Sequence, residues 1–171
     1  MIRFDDQVVL VTGAGRGLGA AYARAFAARG ASVVVHDAGV EKDGGGGDPS
    51  VAQAVADEIG GFALTENLEE PAAGTRVVEQ ALERFGRLDA VIQNAGLVIW
   101  EELETAERSW DRMRKISIDA PFEITQAALP VMRERGYGQF VFTTSLSQRP
   151  LCLIVRCCVV RSTPTIPKRI R

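Results

Sequence analysis

Residues 8–19 restrict the possible folds more than any other stretch of the chain. Val8 to Thr12 is a short apolar strand pattern, glycine then recurs at positions 13, 15, 17 and 19, and Ala20 to Arg29 is an alanine-rich helical pattern. A strand, a glycine turn and a helix start in direct succession make a place for a pyrophosphate. The first helical turn offers unpaired N–H groups and about half a positive charge. Glycine lets the backbone come close where any Cβ would strike the ligand. The spacing, Gly13-x-x-x-Gly17-x-Gly19 preceded by Thr12, differs from the commoner Gly-x-Gly-x-x-Gly fingerprint.

The chain has 171 residues, which predicts one domain with a sizeable core. Its net charge of −2 gives no reason to expect nucleic acid or an anionic membrane as a partner. No apolar run has transmembrane length and no basic-then-apolar leader is present, so the expected location is cytoplasmic. With His36 as the single histidine, no metal site is expected. The averages hide a break. Residues 1–150 carry a net −7, whereas residues 151–171 carry +5 and hold all three cysteines, Cys152, Cys157 and Cys158. The expected organisation is a dinucleotide-binding unit over 1–147 and an atypical basic tail over 148–171.

Strand and helix patterns alternate. Strands are predicted at Val8–Val11, Ser32–His36, Phe62–Leu64, Asp89–Gln93 and Phe140–Thr144. Helices are predicted at Leu18–Arg29, Val51–Ile59, Pro71–Phe85, Ala106 to Lys115 with Thr105 as cap, and Phe122 to Arg135. Such alternation predicts an α/β fold, a Rossmann-type doubly wound parallel sheet, with ligands at the carboxyl ends of its strands. The expected sheet is truncated after about the fifth strand, which leaves that strand near an edge. The β-branched content of Leu151–Val160 also allows a further strand.

Asp37 ends the second strand pattern, 24 residues after Gly13. An acid there accepts hydrogen bonds from ribose hydroxyls and repels a 2′-phosphate, so NAD is expected in preference to NADP. A plain turn aspartate is the other reading. Arg16 is the one obvious cation for a 2′-phosphate. Asn94-Ala95-Gly96 follows the fourth strand, where small residues let the backbone pass against a cofactor ribose.

Together, Thr12-Gly-Ala-Gly-Arg-Gly-Leu-Gly19, Asp37, Gln93-Asn94-Ala95-Gly96 and the Gly138–Ser145 strand resemble the short-chain dehydrogenase/reductase family. The match runs in the family's order over nearly all of residues 5–147. His36-Asp37-Ala38-Gly39, the glycine-rich insertion and Asp48-Pro-Ser-Val-Ala most resemble one subgroup, which includes the 3-hydroxyacyl-CoA dehydrogenase domain of peroxisomal multifunctional enzymes and bacterial relatives. The resemblance implies that Gly13, Gly17 and Gly19, with Gly15, Arg16 and Leu18 between them, form the phosphate turn. It places Asn67 and Leu68 beside the adenine, where the Asn67 amide oxygen could accept from the adenine amino group. It implies that Asn94 holds the sheet near the cofactor and that Ser145 is the catalytic serine that polarises the substrate carbonyl. Ser117 falls where the family commonly has an asparagine that helps a water relay. Relatives often pair through the helices over about 106–135.

The family's Tyr-x-x-x-Lys pair exchanges the substrate proton, the lysine lowering the tyrosine pKa. In this sequence Tyr22 and Tyr137 are followed four residues later by Phe26 and Val141, and no tyrosine follows Ser145. The resemblance stops after Ser145-Leu146-Ser147, which suggests a frameshift near 148–151 in the gene of a longer enzyme. The cysteines lack zinc or redox spacing. A hydrolase is not expected, because no Gly-x-Ser-x-Gly elbow occurs. Two functions are therefore expected. One is NAD-dependent oxidation or reduction of a secondary alcohol or ketone, such as a 3-hydroxyacyl thioester, which the lineage implies. The other, favoured for the chain as written, is a non-catalytic fragment that binds NAD.

Overall fold

The computed structural model describes residues 2–40, 45–99, 102–146 and 152–161. Five parallel strands form the body of one sheet: β1 (Val8–Thr12), β2 (Ser32–His36), β3 (Phe62–Leu64), β4 (Ala90–Gln93) and β5 (Tyr137–Leu146). A sixth, β6 (Cys152–Arg161), pairs antiparallel with β5, and the strand order is β3-β2-β1-β4-β5-β6. The order reverses between β1 and β4, which is where a doubly wound sheet opens a crevice at its carboxyl end. The parallel part of the sheet ends at the fifth strand, as expected, and the β-branched run that begins at Cys152 adds one antiparallel strand beside β5, the further strand its composition allowed.

Strand residues alternate between two apolar layers, as a pleat of period two requires. Val8, Leu10, Val34, Val91 and Phe140 face α3 (Ala73–Phe85) and α5 (Ala120–Glu134), with Val77, Ala81, Ile124 and Met132 behind them. Val9, Val11, Val33, Val35 and Ile92 face α1 (Gly17–Ala27) and α2 (Ser50–Ile59), packed on Ala20, Ala23, Ala52 and Val55. Val9, Leu10, Val34 and Val35 are fully buried. Each such side chain contributes about 1.5–3 kcal/mol. The alanines of α1 let that helix lie close over the sheet.

The connection from β4 to α5 differs from the expected two helices. A 3-10 turn (Leu103–Thr105) leads into α4 (Glu107–Arg114), a π-helical turn (Lys115–Asp119) follows, and α5 continues from it without a break. Thr105 does not cap α4. Its hydroxyl donates to the Glu102 carbonyl at 3.2 Å, and Ala106 takes the cap position. Among the described residues no helix is long and apolar enough to cross a membrane.

Candidate functional site

The turns that follow β1 and β4 are tied together by a reciprocal set of hydrogen bonds. The Thr12 hydroxyl accepts from the backbone N–H of Asn94 at 3.1 Å and of Ala95 at 3.0 Å. The Asn94 amide in return donates to the carbonyls of Thr12 and Gly13, both at 3.1 Å. Thr12 is buried, so these bonds form where water does not compete. The two turns touch closely enough to exclude larger residues. Gly13 has φ +63°, and a Cβ there would lie 3.0 Å from Ala95 Cα. A Cβ on Gly19 would lie 2.0 Å from the Gly13 carbonyl oxygen and 2.7 Å from the Asn94 amide nitrogen.

Asp37, just past β2, turns its carboxylate toward the glycine turn. Its two oxygens accept from the N–H groups of Gly15 at 2.9 Å and Gly39 at 2.8 Å. A carboxylate has about four acceptor positions, so capacity remains for two ribose hydroxyls. His36, fully buried beside it, has Nε2 2.9 Å from the Glu66 carbonyl. A carbonyl only accepts, so Nε2 carries the proton. Burial lowers the pKa of the ring, chiefly by desolvation of its charged form.

These elements wall a cleft of about 300 Å³ at the carboxyl edge of the sheet. Of the residues singled out from the sequence, Gly13, Arg16, Asp37, Asn67, Leu68, Asn94, Ala95 and Gly96 line it. Thr12, Gly15 and Gly19 build its floor from behind through the contacts just given, Gly17 opens α1 with φ +53°, and Leu18 is half exposed. Asn67 does not offer its amide oxygen free, because Oδ1 already accepts from the Glu69 N–H at 3.0 Å, leaving one lone pair for an adenine. Ser117 is exposed on the π-helical turn and outside the cleft lining, whereas its neighbour Ile116 is buried and lines the cleft. Ser145 lies in β5 opposite Leu153, and its side chain is outside the described residues, as are Lys168 and the rest of 162–171.

Sequence reasoning missed His36, Ala38, Val40, Leu97 and Ile116 as cleft residues. His36 was findable, since it occupies the same strand face as buried Val34 and ends at the carboxyl edge. Ile116 was not, because a five-residue π turn changes which side of a helix a residue presents.

A cradle too tight for side chains, an acid at the end of β2 and a switch point between β1 and β4 define a dinucleotide-binding oxidoreductase fold. The short chain dehydrogenase family model matches residues 7–150, and the chain belongs to that family of oxidoreductases. It is 42% identical over 150 residues to the peroxisomal multifunctional enzyme type 2 of Mus musculus, covering 85% of this chain and 20% of that one. Among solved structures it resembles a 7α-hydroxysteroid dehydrogenase complexed with NADH and 7-oxo glycochenodeoxycholic acid. That likeness has a TM-score of 0.76 at 26% identity, over 88% of this chain and 58% of the other. It also resembles a metagenomic short-chain oxidoreductase in complex with NADP, with a TM-score of 0.73 at 31% identity, over 86% and 66%. The family thus holds NAD(P). The chain spans a fifth to a quarter of the length of its multifunctional relatives from mouse and Drosophila melanogaster. The cytoplasmic expectation does not stand, because relatives from mouse, Drosophila, Neurospora and Saccharomyces are all peroxisomal by name. Peroxisomal import uses short receptor-read addresses, which an apolar-run test does not detect.

Proposed function

We propose that the chain is the nucleotide-binding part of an NAD-dependent oxidoreductase that interconverts a secondary alcohol and a ketone, with 3-hydroxyacyl thioesters as the substrate class. One observation carries the cofactor choice: the Asp37 carboxylate, fixed by Gly15 and Gly39 N–H groups, stands at the cleft edge where the adenosine ribose would lie. A ribose diol can donate to it, and a 2′-phosphate would meet a like charge at a cost of several kcal/mol. Gly13, Gly17 and Gly19 hold the pyrophosphate against the start of α1, Asn67 and Leu68 flank the adenine, and Asn94 with Ala95 and Gly96 supports the nicotinamide ribose. Ser145 polarises the substrate carbonyl. When bound, the nicotinamide supplies the hydride acceptor or donor.

The substrate class is supported by the identity to multifunctional peroxisomal enzymes, among them hydratase-dehydrogenase-epimerases. Their compartment supports a peroxisomal setting. Exposed Trp110, Ile118 and Phe122 along α4 to α5 support pairing of two copies over residues 106–135.

Titration with NADH and NADPH tests the cofactor reading. Wild type should prefer NADH, and Asp37→Asn should narrow the preference by about tenfold or more, as one removed charge contact allows. Equal affinities in wild type overturn it. Following NADH formation on 3-hydroxybutyryl-CoA tests the activity, and tight NADH binding without turnover supports a nucleotide-binding unit instead.

A further inference from the structure

The wall of the cleft between β3 and α3 has no regular structure, yet it is anchored from three sides. The Glu66 carbonyl meets His36 at 2.9 Å. The Glu66 carboxylate accepts from Arg76 at 3.0 Å and from Gln80 at 2.9 Å, both on α3. The third anchor ties this wall to α4. Glu69 receives both arms of the Arg112 guanidinium, Nε at 2.8 Å and Nη2 at 2.6 Å, across 43 residues of sequence. Both side chains are only 18% exposed. Arg112 sits on α4, and Ile116, four residues on, lines the cleft together with Asn67 and Leu68.

We infer that the Glu69–Arg112 pair is a positioning strap that sets the gap between the Asn67–Leu68 wall and α4, and so fixes the affinity of the adenosine half of the dinucleotide. The inference rests on the nucleotide reading given above and extends it to two residues that line no part of the cleft. A forked, half-dry ion pair suits this work. Guanidinium and carboxylate planes fix direction as well as distance, which a lysine or a water bridge does not. Glu69 also donates its own N–H to Asn67 Oδ1, so moving its carboxylate drags the neighbouring adenine-side amide with it. The Glu69 carboxyl is held below the usual carboxylate range, first by its hydrogen bonds to Arg112, so the strap is charged at neutral pH.

Calorimetric titration with ADP-ribose, which carries the adenosine half and the diphosphate, tests the strap on the full chain. Glu69→Gln and Arg112→Lys should each weaken binding roughly 5- to 20-fold, the range of a lost charge-assisted fork. The double variant should be no weaker than the worse single one, since one contact cannot be lost twice. The swap Glu69→Arg with Arg112→Glu should recover affinity to within about threefold of wild type by restoring the opposite charges. Wild-type affinity in either single variant, additive losses, or losses confined to variants without native circular dichroism at the assay temperature overturn the strap. Failure of wild type to bind ADP-ribose overturns the nucleotide site itself, and the strap with it.

Discussion

The helices α1 and α3 start at the same edge of the sheet in opposite ways. At α3 the chain seals its own helix: Glu123, from α5, accepts from the N–H groups of Ala72 at 3.3 Å and Gly74 at 3.1 Å. At α1 the cap residue Arg16 is extended and makes no side-chain cap, and among the described residues nothing accepts from the N–H groups of Gly17, Leu18 or Gly19. The nearby carboxylate, Asp37, takes the N–H of Gly15 instead, one residue before the cap. Both starts also rest on a glycine pressed against a neighbour, Gly19 on the Gly13 carbonyl and Gly74 on the Ala120 carbonyl. The same device, close backbone approach without a Cβ, thus serves two ends. At α3 it closes a helix–helix contact, and the helix's partial charge is met from within. At α1 it leaves the partial charge facing the cleft, where a diphosphate would meet it.

Substitutions at these two places should separate binding from stability. The largest effect is expected for Gly19→Ala, whose Cβ would sit 2.0 Å from a carbonyl oxygen. It should weaken NADH binding by about a hundredfold or more, the loss of one or two charge-assisted hydrogen bonds, read by calorimetry. Next comes ligand linkage in wild type. NADH at a hundred times its Kd should add about 2.7 kcal/mol, raising Tm by roughly 5–10 °C in a domain of this size. Gly74→Ala meets Ala120 O at 2.8 Å and Glu123 Cβ at 2.9 Å. It should cost about 1–3 kcal/mol in urea unfolding by overpacking α3 against α5, while the Kd for NADH stays within twofold. Glu123→Gln should cost about 1 kcal/mol by the same measurement, as a weakened cap does, again with binding kept. If Gly74→Ala and Gly19→Ala harm binding equally, the contrast between the two starts is broken.

A smaller pH effect sharpens the picture of the cleft floor. The His36 pKa is depressed by burial, so below about pH 6.5 the unfolded chain takes up a proton that the folded ring refuses. Stability contributed by the neutral ring is complete above that pH and falls as pH drops below it. Tm measured from pH 7.5 to 5.5 should decline, and His36→Asn should flatten that part of the profile.

Much of this architecture is legible in the amino-acid sequence, for physical reasons. Val8–Thr12 and Ser32–His36 are β-branched runs bounded by turn residues, and the glycines at 13, 17 and 19 mark a backbone too close to its neighbours for side chains. Local chemistry decides such elements. Asp37 is legible because its place at a strand end follows from strand length. The features that escape depend on distance in the chain. Nothing in a sequence tells Arg112 to choose Glu69 over nearer acids such as Asp111, because charge carries no direction along the chain. The π turn at Lys115–Asp119 has no residue signature of its own, and it carries Ile116, which lines the cleft. The β5 strand runs longer than its apolar core, from Tyr137 rather than Phe140, because pairing with β6 satisfies its outer backbone groups.

The mutual grip of Thr12 and Asn94 has a consequence for the order of events during synthesis. Half of the cofactor cradle is specified by residue 19, but its shape is imposed by a partner more than eighty positions later. A nascent chain that has released only its first two strands and helices owns every glycine it needs and still lacks a rigid floor beneath them. Nucleotide capture should therefore switch on abruptly when the fourth strand docks beside the first, so the dinucleotide rewards completed assembly rather than guiding its early steps.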